Sequence, residues 1–348
     1  MKIIGCDFHP SYQQFAMVDT ESGELREGRL EHEQGEARRF YQALAGTPVR
    51  VGMEAAGNAQ WFEQMLGELG HELWIGDAAQ IRRLVVRAQK TDRRDARHIL
   101  NLMLDGRFPR LWVPSAEMRD VRQLLRHRQK LVEMRTQVKN QLQHLALNQG
   151  VQRKRRLWSA EGRAVLESLP LSGWTARRRA DLLAMLDRLE AQVGELDRAV
   201  RAEAERRPEV RLLMTHPGVG PVVGLAYVLT LGPYQRFPRG KQVASYLGLI
   251  PREHSSGGRQ KLGSISKQGN TMMRTLLVEA AQTAARYDHE LRRDYGRLAA
   301  RKHKALAKVM VARKMAVRMY WMLRENQPYA PLPVARMQGS PSHSVVAG

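Results

Sequence analysis

The order of the first hundred residues constrains this chain most: three short strands joined by turns, then strands and helices in alternation. Lys2-Ile3-Ile4-Gly5-Cys6-Asp7 is an apolar strand ending in a carboxylate. Gln14-Phe15-Ala16-Met17-Val18 is a second strand, Glu21-Ser22-Gly23 a turn, and Glu24 to Leu30 alternates as a third. Helical character runs from Gln34 to Leu44. Val49-Arg50-Val51-Gly52-Met53-Glu54 is a strand that again ends in a carboxylate. After Gly57-Asn58 a helix carries Trp61, Phe62, Met65, Leu66 and Leu69, and Glu72 to Ile75 is a fifth strand. Helices are expected from Ala78 to about Ala88 and from Asp92 to Leu104. The order β-β-β-α-β-α-β-α predicts an α/β domain, a mixed sheet with helices packed on it.

Beyond Pro109–Pro114 the pattern becomes helical. Val121, Leu124, Leu131, Val138, Leu142 and Leu145 recur at helical steps between Ala116 and Leu147. Leu182, Leu186, Leu189, Val193, Leu196 and Val200 step by four and three, a heptad seam that should pair with another helix, within the chain or across a dimer. The segment from Gly150 to Gly173 reads as the bend between these two arms. In the last third, His216 to Gly220 separates two apolar helical segments, and Pro251 to Gly269 reads as a Gly/Ser-rich loop. Asn270 to Arg286 and Glu290 to Arg324 read as long helices. The expected organisation is an α/β domain over 1–110, a long helical, coiled-coil middle over 111–208, a mainly α-helical C-terminal domain over 209–326, and a disordered tail over 327–348 rich in Pro, Ser and Gly.

Charge narrows the function. Among 348 residues, 57 Lys+Arg face 35 Asp+Glu, a formal charge of +22. Such a charge repels itself unless a polyanion is the usual partner, which points to nucleic acid. The single cysteine, Cys6, excludes an intramolecular disulfide framework and a Cys-based zinc site. No apolar run reaches the roughly 18 residues that span a bilayer. The N-terminus is too short and too quickly acidic for a signal peptide. The expectation is a cytoplasmic, basic protein with no membrane partner.

Three stretches carry chemistry. The first is the carboxylate set Asp7, Glu54, Asp92 and Asp95. Two end strands, and two lie three apart at a helix start and share a face. Taken singly each is an ordinary strand-end or helix-cap residue. Taken together, in a basic chain, they suit two hard divalent cations, with Mg²⁺ favoured because it takes oxygen ligands and substrate phosphates. The second stretch is Gly248 to Lys261, where Ser255 and Ser256 stand beside Gly257 and Gly258. By itself it reads as a flexible linker. With Arg252, Arg259, Lys261 and Lys267 close in sequence, a serine there suits attack on a phosphodiester. The third is Pro217-Gly218-Val219-Gly220, either a simple helix–helix turn or a hairpin whose Gly218 and Gly220 amides meet a phosphate. Residues 118–163, including Arg153, Lys154, Arg155 and Arg156, hold twelve Lys/Arg against three Asp/Glu, as do residues 286–324. Sparse aromatics favour recognition of the nucleic-acid backbone there. The eleven histidines show no paired metal-ligand spacing.

These residues together resemble the DEDD-type insertion-sequence transposases, which are related to the Piv and MooV DNA invertases. The resemblance rests on Ile4-Gly5-Cys6-Asp7 with Met53-Glu54-Ala55-Ala56-Gly57, on Lys90-Thr91-Asp92-Arg93-Arg94-Asp95-Ala96, and on His216-Pro217-Gly218-Val219-Gly220 onward through Leu247 to Pro251 and Ser266 to Asn270. It implies a RuvC-like RNase H fold at the N-terminus, with Asp7, Glu54, Asp92 and Asp95 binding Mg²⁺. It implies a C-terminal transposase domain with a nucleophilic serine, which maps onto Ser256, with Ser255 beside it. It also implies a structured non-coding guide RNA that pairs with donor and target DNA, and a homo-oligomer, dimer or tetramer, assembled through the helical arm.

The mechanism expected from this is cleavage and rejoining of DNA through a phosphoserine intermediate. No ATP is needed, in keeping with the absence of a G-x-x-x-x-G-K-[ST] loop. Two alternatives stand beside it. A Holliday-junction resolvase-like or RNase H-like nuclease would use the same carboxylates with water. A non-catalytic nucleic-acid-binding protein would need only the basic helices.

Overall fold

The computed structural model describes residues 1–84, 91–152, 154–253 and 261–330. The chain divides into two compact units, Met1–Pro114 and Ser115–Gly348.

The first unit contains β1 (Lys2–Phe8), β2 (Tyr12–Asp19), β3 (Leu25–Glu31), α1 (Glu36–Gln42), β4 (Val49–Glu54), α2 (Gln60–Glu68), β5 (Glu72–Gly76), α3 (Ala78–Arg83) and α4 (Asp92–Leu104). The sheet order is β3-β2-β1-β4-β5. β1, β2 and β3 pair antiparallel, while β1, β4 and β5 pair parallel. This mixed α/β sheet fits the RuvC-like fold that the resemblance implies. Part of the helix expected over 78–88 is seen as α3, capped by Asp77 Oδ1, which accepts from the Gln80 amide at 3.0 Å; residues 85–90 lie outside the described residues.

Alternation along the strands builds two cores. Ile4, Cys6, Phe15, Met17, Val51 and Met53 bury against Tyr41 of α1 and Phe62, Met65 and Leu66 of α2. On the other face Ile3 and Ala16 bury against Ala96, Ile99, Leu100 and Met103 of α4. Two glycines set how closely α4 approaches. A Cβ on Gly5 would stand 2.2 Å from the Ala96 carbonyl oxygen and 2.4 Å from the Leu100 amide. A Cβ on Gly52 would meet the Met103 sulfur at 2.2 Å. At Gly5 only hydrogen lets the α4 backbone lie on β1, while at Gly52 the missing side chain makes room for the Met103 thioether.

The second unit opens with α5 (Ala116–Asn148), α6 (Ala160–Glu167) and α7 (Gly173–Glu205). α5 and α7 run antiparallel. Arg128 pairs with Asp197 at 2.5 Å and Lys139 with Glu190 at 2.8 Å. The heptad seam meets a partner within the chain: Leu182, Leu186, Leu189 and Val193 bury with Leu131, Val138 and Leu142. Burying each leucine contributes about 1.5–3 kcal/mol, against less than about 1 kcal/mol for each exposed ion pair, so the apolar seam decides the pairing. The bend between the arms holds α6, and Leu157, Leu166 and Leu169 close the end of this core.

The rest comprises α8 (Pro208–Met214), α9 (Pro221–Leu231), α10 (Gly240–Tyr246), β6 (Pro251–Glu253), β7 (Leu262–Ile265), α11 (Thr271–Tyr287), α12 (His289–Arg301) and α13 (Lys304–Glu325). Their core also takes in Val121 and Leu125 of α5 and Val200 and Ala204 of α7. Two expectations are corrected. The stretch 251–269 is not a plain loop, because β6 and β7 pair as an antiparallel ribbon. The stretch 290–324 is not one helix. Lys302 is extended, and His303 Nδ1 accepts from the Ala305 amide at 3.2 Å to start α13. The break lets α13 fold back on α12. Lys314 then reaches Glu290 and Asp294, and Arg318 reaches Asp288 and Glu290, while Ala307, Val311 and Met315 are buried.

Candidate active site

β1 and β4 lie side by side in register, Gly5 opposite Gly52 and Cys6 opposite Met53. Asp7 and Glu54 come next, so two carboxylates leave the C-terminal ends of neighbouring parallel strands on one face. That face carries Gly5 and Gly52, and α4 covers it. The Thr91 hydroxyl caps α4 by accepting from the Arg94 amide at 3.4 Å, which puts Asp92 and Asp95 in the first turn. Negative charge is favoured there by the helix dipole. The close glycine contacts thus bring a helix start loaded with carboxylates toward strand ends that carry two more.

Asp7, His9 and Asp92 have ligand atoms that all lie within 4.8 Å of one another. His9 Nε2 is 3.1 Å from Asp7 Oδ2 and 3.7 Å from Asp92 Oδ2. The Tyr12 hydroxyl donates to Asp92 Oδ2 at 2.7 Å. The Tyr12 ring stacks on His9 at 4.7 Å between centroids, and the Arg29 guanidinium sits 3.7 Å from its centre. Burial raises the Asp7 pKa; His9 opposes the rise, and the Asp95 and Asp92 charges add to it. A half-buried carboxylate set beside further negative charge forms a place where a cation is stabilised. Carboxylate oxygens suit a hard divalent cation, and one imidazole is compatible with such a set. Glu54 and Asp95 share the site's face and helix turn but are not in the ligand-distance group.

His9 and Tyr12 were missed by sequence reasoning, which sought histidine pairs. The available signal was Asp7-Phe8-His9: residues two apart on a strand share a face. Tyr12 had no comparable signal, since its partner is eighty residues away in the chain.

Ser255, Ser256 and Arg259 lie outside the described residues, between β6 and β7. Of the neighbouring cations, Arg252 donates to the Ser266 carbonyl at 3.3 Å, while Lys261 is exposed and Lys267 adopts a left-handed backbone with φ 57°. The base of the ribbon is rigidly seated. A Cβ on Gly248 would stand 2.2 Å from the Gln268 carbonyl oxygen, with φ 67°. Buried Arg274 donates to the carbonyls of Gln268 and Leu247 and to the Thr271 hydroxyl. Beside this base lies a cleft of about 370 Å³ lined by Arg122, Arg126, Tyr246 and Asn270.

The glycine hairpin divides. Gly218 has φ 84° and rests on α11, where a Cβ would meet the Ala280 carbonyl oxygen at 2.5 Å. Helix packing therefore accounts for its lack of a side chain. Gly220 faces open space. In the basic run, Arg153 and the side chains of Lys154 and Arg155 lie outside the description, and Arg156 is exposed. Among the described residues no helix is long and apolar enough to cross a membrane.

Comparison with known proteins agrees across the chain. A family model described as transposase of the IS116/IS110/IS902 family matches residues 210–296, and an IS110-type DEDD transposase model matches residues 4–149. A probable family 20 transposase of Pseudomonas aeruginosa is 33% identical over 264 residues, covering 74% of this chain and 77% of that protein. The transposase for insertion sequence element IS1111A of Coxiella burnetii is 29% identical over 300 residues, covering 82% and 79%. A pilin gene-inverting protein of Moraxella bovis is 26% identical over 189 residues, covering 53% and 57%.

Proposed function

The chain belongs to the IS116/IS110/IS902 family of transposases, DNA recombinases of insertion sequences, and we propose that it cuts and rejoins DNA through a phosphoserine intermediate, with the Asp7–His9–Asp92 site as its cation-binding centre. The observation that carries this reading is the meeting of Asp7, His9 and Asp92 where β1 ends and α4 begins. Asp7, Glu54, Asp92 and Asp95 would hold divalent cations, Mg²⁺ by preference and in a pair, with His9 against two of the carboxylates. When bound, such ions supply charge neutralisation and Lewis-acid polarisation of a scissile phosphate.

The protein's own groups do the rest. Tyr12 holds Asp92 by its hydroxyl, and His9 braces both aspartates. The Ser256 hydroxyl loses its proton and attacks phosphorus. One Oγ–P bond forms, the P–O3′ bond breaks, and the leaving oxygen departs as a 3′-hydroxyl. In rejoining, a 3′-hydroxyl attacks the phosphoserine, restores a phosphodiester and returns the serine. Each step exchanges one P–O bond for another, so no external energy source is needed. Arg252, Arg259, Lys261 and Lys267 neutralise phosphates near the serine. The basic helices, with Arg153 to Arg156, hold DNA and a structured guide RNA from the element's flank. A homo-oligomer supplies the sites for two strand exchanges. The segments 1–110, 111–208 and 209–326 act as catalytic domain, assembly arm and serine-bearing domain.

The test is a covalent trap. The full chain, expressed with its native flanks, is incubated with Mg²⁺ and DNA carrying the element junction, then denatured and digested for mass spectrometry. A nucleotide adduct on Ser256, absent from Ser256→Ala and Asp7→Ala, is expected. Cleavage that persists in Ser256→Ala would replace this reading with a water-dependent nuclease. Sequencing of co-purified nucleic acid tests the guide: a discrete RNA from the flank supports it, and heterogeneous host RNA removes it.

A further inference from the structure

A cleft of about 430 Å³ lies among α11, α12 and α13 and shares no lining residue with the cleft at the base of the serine ribbon. Each helix supplies a pair of residues at helical spacing: Gln282 and Arg286 from α11, Arg292 and Tyr295 from α12, and Lys308 and Val311 from α13. The volume is within the range of small-molecule pockets, about 300–1,000 Å³.

The charges around it are arranged unevenly. Residues 286–324 contain only Asp288, Glu290 and Asp294 as acids. All three are used by Lys314, Arg318 and Arg297. Among the described residues, Arg286 and Lys308 make no ion pair, and the Arg292 guanidinium donates only to the Arg286 carbonyl. Three cations, one from each helix, are thus uncompensated around one cleft, whereas Arg297 of α12 and Lys314 and Arg318 of α13 are paired with acids. The cleft also offers a half-buried aromatic face, Tyr295, and the Gln282 amide, which makes no hydrogen bond among the described residues.

A cluster of cations alone would suit any phosphate. Cations around an aromatic ring and an unpaired amide suit a phosphate that brings a planar base with it. We propose that this cleft receives an unpaired nucleotide of a nucleic-acid strand, its base on Tyr295 and its flanking phosphates on Arg286, Arg292 and Lys308. A base inside a duplex cannot enter, so the cleft distinguishes single-stranded or flipped-out nucleotides from paired ones. The inference needs nucleic acid as partner but neither the carboxylate nor the serine chemistry, so its failure leaves the catalytic reading standing.

The experiment is fluorescence anisotropy on the full chain with short labelled single-stranded DNA, single-stranded RNA and duplex DNA. Loss of a stacking aromatic costs about 1–3 kcal/mol per base, so Tyr295→Leu should weaken single-strand binding about tenfold while duplex affinity holds. Tyr295→Phe keeps the ring and should bind as the parent does. Arg286→Gln with Lys308→Gln removes two phosphate contacts and should flatten the single-strand log K versus log salt slope by about 1.4. These two side chains are outside the core, so that variant tests the cleft even if Tyr295→Leu melts early. Weakened binding of either single-stranded probe supports the proposal and tells which strand type the cleft holds. Unchanged single-strand binding in Tyr295→Leu, or equal weakening of single strand and duplex in the double variant, would overturn it.

Discussion

Gly5 offers a way to move the carboxylate-bearing helix without touching a carboxylate. In Gly5→Ala the new Cβ would stand 2.2 Å from the Ala96 carbonyl oxygen and 2.4 Å from the Leu100 amide. Ordinary van der Waals contact begins near 3.4 Å, and both neighbours are helix backbone, which cannot turn aside. α4 must therefore retreat from β1 by about 1 Å. Overpacking of this kind costs about 1–3 kcal/mol. A displacement of about 1 Å at a reacting centre costs about 100-fold in rate. Gly52→Ala meets the Met103 sulfur instead, the far end of a flexible side chain, and should cost about 1 kcal/mol or less. Gly67, in α2, has nothing within 4 Å of its added Cβ, so Gly67→Ala should stabilise by about 0.5–1 kcal/mol. Calorimetric melting of the full chain measures the stabilities, and titration with Mn²⁺ with strand cleavage measures the site. The expected order of damage is Gly5→Ala, then Gly52→Ala, with Gly67→Ala harmless. If Gly5→Ala melts and binds Mn²⁺ like the parent, the close seating of α4 does not position Asp92 and Asp95.

Three further outcomes are expected. Tyr12→Phe removes the hydroxyl that donates to Asp92 and should weaken divalent-cation affinity about 10–100-fold, read by Mn²⁺ titration, with the melting temperature unchanged. Burial holds His216 down at a pKa of about 4, below the usual 6.5, so the unfolded chain binds the extra proton between those values. Stability should therefore fall as pH drops from about 6.5 through 4, by about 3 kcal/mol in all, and His216→Gln should flatten denaturant midpoints across that window. Arg274→Met strips donors from the Leu247 and Gln268 carbonyls and should cost about 3 kcal/mol, and Arg274→Lys should recover little of it because one ammonium cannot reproduce the guanidinium fork. Hydrogen exchange at Gly248 to Ile250 should rise in both variants.

Sequence alone determined what depends on near neighbours. Strand alternation shows in Lys2 to Asp7 and Val49 to Glu54, and the Thr91-Asp92 helix start in a cap followed by apolar periodicity. The leucines of α7 at steps of four and three showed that a partner helix exists. Each of these signals is local, because backbone hydrogen bonding and burial repeat at fixed short spacings.

Only the tertiary structure decided which distant segments meet. It put His9 between Asp7 and Asp92, and Tyr12 on Asp92, through a contact between a strand end and a helix that sequence periodicity does not encode. It assigned the α7 seam to α5 within the chain. It broke the 290–324 stretch at Lys302, because a helix that folds back buries Val311 and Met315 and satisfies Asp288, Glu290 and Asp294, gains a straight helix would forgo. It also gave Gly5 and Gly218 their meaning. In the sequence each is only a residue without a side chain, and in the fold each is a place where a helix backbone occupies the space a Cβ would need.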